Sequence, residues 1–190
     1  MAVREFDPFR LDVEAFAKDG ASLEGRWPLA QLDRLAELAL ADPDLTLDAA
    51  AGREVAWQVR GELRVLRGGD SQIWLHVNAH TELPLECQRC LKPVEAAVKV
   101  ERNFLFVRGE DAAAQIDADS EDDVLALSRA LDLRELIEDE LLLALPLVPR
   151  HEVCLSPLPM AVADDEAGAA EAPPHPFAGL AALKRGPRLN

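Results

Sequence analysis

From Arg53 to Val107 the chain alternates apolar and polar residues, and that period of two restricts the fold more than anything else in the sequence. Successive side chains on a strand point to opposite faces, so alternation over this length means a sheet with one buried and one wet face. In the first run Trp57, Val59, Leu63 and Val65 alternate with Gln58, Arg60, Glu62 and Arg64. In the second, Ile73, Leu75, Val77 and Ala79 are opposed by Trp74, His76, Asn78 and His80. Gly68-Gly69-Asp70 between them is turn chemistry, which makes the two runs a long hairpin. After Leu83-Pro84-Leu85-Glu86, the segment Cys87-Gln88-Arg89-Cys90 forms a second turn, and Val94, Ala96, Val98, Val100, Phe104 and Phe106 resume the alternation. An antiparallel meander of at least three strands follows.

Helical spacing flanks the meander. Pro28 can open a helix without losing a bonded N–H, and Leu29, Leu32, Leu35, Leu38 and Ala39 predict an amphipathic helix over 28–41 that stops at Asp42-Pro43. Asp132 followed by Glu135 is an acidic capping signal, and Leu133, Leu136, Ile137, Leu141 and Ala144 predict a second helix over 132–145, ahead of Pro146. Ser22 to Trp27 and Val124 to Leu127 are candidate further strands, and residues 5–26 otherwise read as short pieces around Phe6, Phe9, Leu11 and Phe16. The expected fold is α+β, a curved or barrel-like antiparallel sheet packed by two main helices. Residues 1–156 form the single domain; 157–174, rich in Ala, Pro and acids, is a flexible linker; 175–190 is a C-terminal docking segment, with Phe177, Leu180 and Leu183 at helical spacing beside three bases and no acid. That segment can dock on the acidic helix of its own domain, bind in a partner groove, or fray.

Charge separates the functions this chain can perform. Of the net −15, residues 108–144 carry −9, with 12 acids and 3 bases. Residues 1–107 carry −5 and residues 145–190 only −1. Nucleic-acid affinity comes largely from Lys and Arg against phosphate, so such a chain is repelled by RNA unless a local basic face overrides the balance, and basic proteins are the better first guess as partners. An ordinary solubility charge is the alternative. Glu110, Asp111, Asp117, Asp119, Glu121, Asp122 and Asp123 crowd one stretch with a single aliphatic, Ile116, which predicts a mobile acidic loop presenting them. The start lacks the basic-then-apolar order of a secretory signal, and no apolar run is long enough to span a membrane. A cytoplasmic setting is the expectation, and three cysteines, an odd number, suit it.

Cys87 and Cys90 bracket two residues between two strands, as in a zinc knuckle, and His151 with Cys154 offers a second closely spaced pair. Together they make a Cys3His set for a structural zinc, with Arg89, Lys92 and Arg150 to offset the thiolate charge; buried, metal-free thiols are the alternative. A thiol-redox enzyme uses the same Cys-x-x-Cys spacing but takes its reactive thiolate from a helix N-terminus, whereas here Leu91-Lys92-Pro93 leads into a strand. His76 and His80 read as solvated strand residues, and Glu138 to Glu140 as a solvated helix face. No nucleophile elbow, phosphate loop or His-Glu-x-x-His occurs, so neither a catalytic residue nor a small-molecule substrate is expected.

Several of these segments together resemble the YceD family of large ribosomal RNA subunit accumulation proteins. The likeness rests on Glu86-Cys87-Gln88-Arg89-Cys90 before Lys92-Pro93, then Leu131-Asp132-Leu133, Glu138-Asp139-Glu140, Leu143-Ala144-Leu145-Pro146 with Pro149 and His151, a following Cys154, and Pro176-Phe177-Ala178 with Leu180 and Leu183-Lys184. The resemblance implies a non-catalytic factor for synthesis, processing or stability of 23S ribosomal RNA, with a basic ribosomal or assembly protein as partner and RNA reached directly or indirectly. Arg89 and Lys92, with Arg60, Arg64, Lys99 and Arg102, are the RNA contacts a direct binder would use.

Overall fold

In the computed structural model, which describes residues 4–39, 52–68 and 71–154, the alternating runs become one five-stranded sheet. Its strands are β1 (Ser22–Pro28), β2 (Glu54–Val65), β3 (Ser71–Glu86), β4 (Pro93–Val107) and β5 (Asp123–Ala126), in spatial order β1-β2-β3-β4-β5. The register explains the alternation: Val59 faces Val77, Leu63 faces Ile73, Ala79 faces Val100 and Leu75 faces Phe104, so the apolar members of each strand land on one face. Among the described residues four α-helices complete the α+β fold: α1 (Val13–Lys18), α2 (Asp33–Ala39), α3 (Glu110–Asp117) and α4 (Leu133–Leu143).

Helices α1, α2 and α4 cover the apolar face, where Phe16, Leu35, Val59, Leu75, Val77, Phe104, Leu133, Ile137 and Leu141 are buried in one core. At full burial each large side chain contributes about 1.5–3 kcal/mol. The close seating of α1 depends on Gly61: a Cβ there would lie 2.7 Å from Phe16 Cδ1 and 2.8 Å from the α1 backbone at Ala17 Cα. Asp12 caps α1 by accepting from the Ala15 N–H, and the segment before it is stitched to the approach to α4, with Leu11 and Leu131 exchanging backbone hydrogen bonds of 2.8 and 3.0 Å.

Several expectations need correction. The sheet is mixed and not purely antiparallel, because β5 pairs parallel with β4 over Phe104–Val107. Parallel neighbours require a crossover, and this turns the expected acidic loop into a helix: the chain must travel back along the sheet before β5. Ala112, Ala113 and Ala114 supply the helix propensity, and Ala113 is buried against Trp74, Leu105 and Val124, giving the second sheet face a small core of its own. Acid-rich composition concealed that single apolar contact. The helix expected over 28–41 is broken: Leu29–Gln31 forms a 3-10 turn, Leu32 leaves helical geometry at φ −108°, ψ 85°, and α2 starts at Asp33. Leu29 N–H donates to the Arg53 carbonyl at 2.8 Å, and Leu29, Leu32 and Leu35 are all buried, so tertiary anchoring overrides a continuous helix. Finally, α1 is a helix of six residues where only short pieces were expected.

The second helix begins where its capping signal places it, with Asp132 accepting from the Arg134 and Glu135 N–H groups. Two of its acids, Glu138 and Glu140, are not part of a solvated face. Glu138 and Glu140 are each 8% exposed and flank the buried stripe of Leu133, Ile137 and Leu141 on either side. Glu138 accepts from Arg34 and from the Leu35 N–H, while Glu140 accepts from Arg102 at 3.2 Å. Burial raises the Glu140 carboxyl above its ordinary range, against the opposing pull of Arg102. The expected linker at 157–174 and docking segment at 175–190 with Phe177, Leu180 and Leu183 lie outside the described residues, as do Gly69-Asp70 and the expected stop at Asp42-Pro43.

Candidate metal centre and acidic surface

The six residues Cys87 to Lys92 join β3 to β4, whose last pair is Glu86 with Pro93. Cys87 N–H donates to the Lys92 carbonyl at 2.9 Å and Leu91 N–H to the Cys87 carbonyl at 2.8 Å, which closes the turn. No glycine stands in it, so Leu91 takes the left-handed conformation at φ 56°. The closure turns Cys87 and Cys90 inward, and both are buried.

The second pair arrives from the far end of α4. Pro146 prevents the helix from continuing, and the chain returns to the knuckle, where Gln88 N–H donates to the Pro149 carbonyl at 2.9 Å. His151 Nε2 lies 2.9 Å from the Pro93 carbonyl. A carbonyl only accepts, so Nε2 carries the proton and Nδ1 is left with the free lone pair. That Nδ1 faces the thiols, 3.4 Å from Cys90 Sγ and 4.0 Å from Cys154 Sγ, and Cys87 Sγ is 3.7 Å from Cys154 Sγ. The ligand atoms of Cys87, Cys90, His151 and Cys154 all lie within 4.8 Å of one another, a set able to hold one metal ion. The cysteines are free, and 3.7 Å is far beyond the roughly 2.05 Å of a disulfide.

The electrostatics of the cluster are set by its walls. Burial alone would push the Cys87 thiol up, but backbone N–H groups of Arg89, His151 and Cys90 stabilise the thiolate and bring it to about 5. Burial dominates at Cys90 and raises it. Arg89, expected as an RNA contact, is turned onto the cluster: Nε donates to Cys154 Sγ at 3.0 Å, and Nη2 to the carbonyls of His151 and Glu152 at 3.4 Å. Lys92 stands exposed on the same turn.

The other residues of the direct-binding reading do not share a surface. Register places Arg60, Arg64 and Lys99 on the face away from the main core, but Arg102 opposite Val77 on the helix-covered face, beside Glu140. Glu62 engages both Arg60 and Arg64. His76 is no solvated strand residue: its ring is held between Glu62 Oε2 at 2.7 Å and Asn103 Oδ1 at 2.6 Å. Hydrogen bonds from Arg64 first and His76 second bring the Glu62 carboxyl down to about 2, burial opposing. His80 is exposed, as expected. A hollow of ≈ 480 Å³ on this face, lined by Glu24, Arg26, Gln58, Asn78 and His80 among others, is shallow and polar.

The acids of the crossover are exposed, all seven of Glu110, Asp111, Asp117, Asp119, Glu121, Asp122 and Asp123. Asp117 is used internally, accepting from the Val124 N–H at 3.1 Å and so joining α3 to β5. Among the described residues no salt bridge engages the other six, whereas Arg26, Arg34, Arg53, Arg60, Arg64, Arg102 and Arg108 all meet carboxylates elsewhere. Sequence spacing showed the acid density but not the pairing of the bases, because those partners sit up to 105 positions away.

The family model described as "Large ribosomal RNA subunit accumulation protein YceD" matches residues 75–184, which include the knuckle, the crossover, α4 and the His151–Cys154 pair. The chain belongs to the YceD family. A YceD protein of Haemophilus influenzae, named "Large ribosomal RNA subunit accumulation protein YceD", is 31% identical over 186 residues, covering 94% of this chain and 96% of the relative. The YceD likeness therefore extends into the N-terminal third, which carries β1 and α2. No solved structure matches the chain at a significant level. No described helix is long and apolar enough to cross a membrane.

Proposed function

We propose that this chain promotes the accumulation of large-subunit ribosomal RNA by contact and not by catalysis, offering the acidic crossover to a basic ribosomal or assembly protein in the cytoplasm. The role itself is supported by the family description and by the name of the relative. The observation that carries the mechanism is the imbalance of pairing: the named bases are matched to carboxylates, while six exposed acids on and beside α3 have no salt-bridge partner among the described residues. Exposed pairs contribute only about 0.2–1 kcal/mol each, so such a surface acts through its number of charges and through long-range steering, both weakened by salt. Glu110 and Asp111 stand in the first turn of α3, which gives those two acids a fixed spacing that a loop would not.

Direct RNA binding is the weaker reading. Arg60, Arg64 and Arg102 are engaged by Glu62 and Glu140, and Arg89 by Cys154, which leaves little uncompensated charge to meet phosphate. A thiol-redox role is disfavoured because Cys87, whose thiolate is the more readily formed, is fully buried and out of reach of a disulfide substrate. The test reverses Glu110, Asp111, Glu121 and Asp122 to lysine, sparing Asp117 and Asp123, and captures the tagged chain with its partners from cells. Loss of a basic large-subunit or assembly protein with an unchanged melting temperature is the expected result. Undiminished recovery of that partner contradicts the proposal.

A further inference from the structure

Residues 146–154 follow the helix with little apolar burial to hold them: Leu147 is fully exposed, Val153 is 79% and Val148 59% exposed. Fixing a backbone residue costs about 1–2 kcal/mol, so a stretch with its side chains in water needs another anchor. Its remaining contacts converge on the knuckle: Gln88 on Pro149, Arg89 on the His151 and Glu152 carbonyls, His151 on Pro93, and the four metal-competent atoms on one another.

The separations of those atoms are themselves informative. Tetrahedral zinc, with bonds of about 2.3 Å to sulfur and about 2.05 Å to nitrogen, puts sulfur–sulfur edges at about 3.8 Å and sulfur–nitrogen edges at about 3.6 Å. Three of the six edges are 3.7 Å for Cys87–Cys154 and 3.4 and 4.0 Å from Cys90 and Cys154 to His151 Nδ1, and all six lie within 4.8 Å. Three soft sulfurs and one imidazole around a single centre are an accepted tetrahedral zinc set, and harder ions prefer oxygen. Charge agrees: three thiolates against a divalent ion leave one surplus negative charge, and Arg89 supplies the positive charge that cancels it, bonded to Cys154.

We infer that Cys87, Cys90, Cys154 and Nδ1 of His151 bind one zinc ion, and that this ion is the clasp fastening the segment after α4 to the β3–β4 turn. The three thiols bind as thiolates and release their protons to solvent. Pro93 fixes the imidazole tautomer, and Arg89 is a positioning residue that acts through Cys154. The zinc clasp and the acidic surface are separate features, so either can fail while the other stands.

The experiment uses the full chain, purified without a metal-affinity tag. Elemental analysis should find one zinc per chain. Cobalt(II) added to the chelated protein should saturate at one equivalent, with thiolate-to-cobalt charge transfer and the intense visible bands of a tetrahedral site. Arg150 lies inside the clasp, so trypsin should cut after it at least about ten-fold faster once zinc is removed, because cleavage follows the population of the opened segment. Cys154→Ser, which leaves the turn intact, should lose zinc and show the same acceleration. Arg89→Gln should keep one zinc per chain but lose about 10–100-fold in affinity by chelator competition. A zinc-free chain that binds cobalt weakly or octahedrally overturns the metal site. Equal cleavage at Arg150 with and without zinc overturns the clasp.

Discussion

Replacing Glu138 with alanine should be among the most destabilising single changes in α4. Leu32, the residue ahead of α2, has no side-chain oxygen to cap that helix, and Glu138 supplies one from a different element: Oε1 accepts from the buried Leu35 N–H at 3.1 Å. Stranding that donor costs about 1–3 kcal/mol. Loss of a negative charge at the start of a helix adds about 0.3–1 kcal/mol. Oε2 also accepts from Arg34 at 3.1 and 3.3 Å, but Arg34 is half exposed, so that pair adds only about 0.2–1 kcal/mol. The total for Glu138→Ala is about 1.5–5 kcal/mol, or a melting temperature lower by roughly 3–20 °C in a chain of this size. Glu138→Gln keeps an oxygen for Leu35 and loses only charge, so it should cost about 1 kcal/mol. Urea unfolding followed by tryptophan emission measures both, and exchange of the Leu35 amide reports the cap directly. Equal destabilisation by the two variants, with unchanged Leu35 exchange in Glu138→Ala, would refute the capping argument.

Three further outcomes are expected. Gly61→Ala should destabilise by about 1–3 kcal/mol in urea unfolding, because its Cβ meets α1 backbone that cannot rotate aside. Ala113→Asp buries an unpaired carboxylate against Trp74 and Leu105, and should detach α3, red-shift the Trp74 emission and speed proteolysis near residue 113. Glu62, held at about 2 against an ordinary 4.5, stabilises the fold above the higher value, and that contribution is lost as pH falls through the lower one. Glu62→Gln should therefore show a shallower loss of melting temperature than the parent between those two pH values, and an unchanged slope would count against the pairing with Arg64 and His76.

What could be read from the sequence follows from how far each signal reaches. β2, β3 and β4 announce themselves because one face is wet, and the Asp132 cap places the start of α4 at Leu133. The knuckle and the His151–Cys154 pair were legible as donor types, yet their meeting is a tertiary fact: Cys87 and Cys154 are 67 positions apart. α3 was hidden because a single buried alanine decides it amid seven acids. Glu138 and Glu140 were misread for a similar reason, since helical period locates the apolar stripe but not what lies across its edges. There Arg34 and Arg102 make burial of the two carboxylates tolerable. The parallel pairing of β5 left no local trace.

The most direct measurement is the ratio of 23S to 16S ribosomal RNA in cells whose own copy is replaced by a variant with Glu110, Asp111, Glu121 and Asp122 changed to their amides. A control removes two acids elsewhere, changing Glu24 and Glu101, on the exposed sheet face, to glutamine. The control should restore the ratio of the parent chain, and the crossover variant, folded and equally abundant, should leave 23S RNA depleted. Full restoration by the crossover variant would contradict the account.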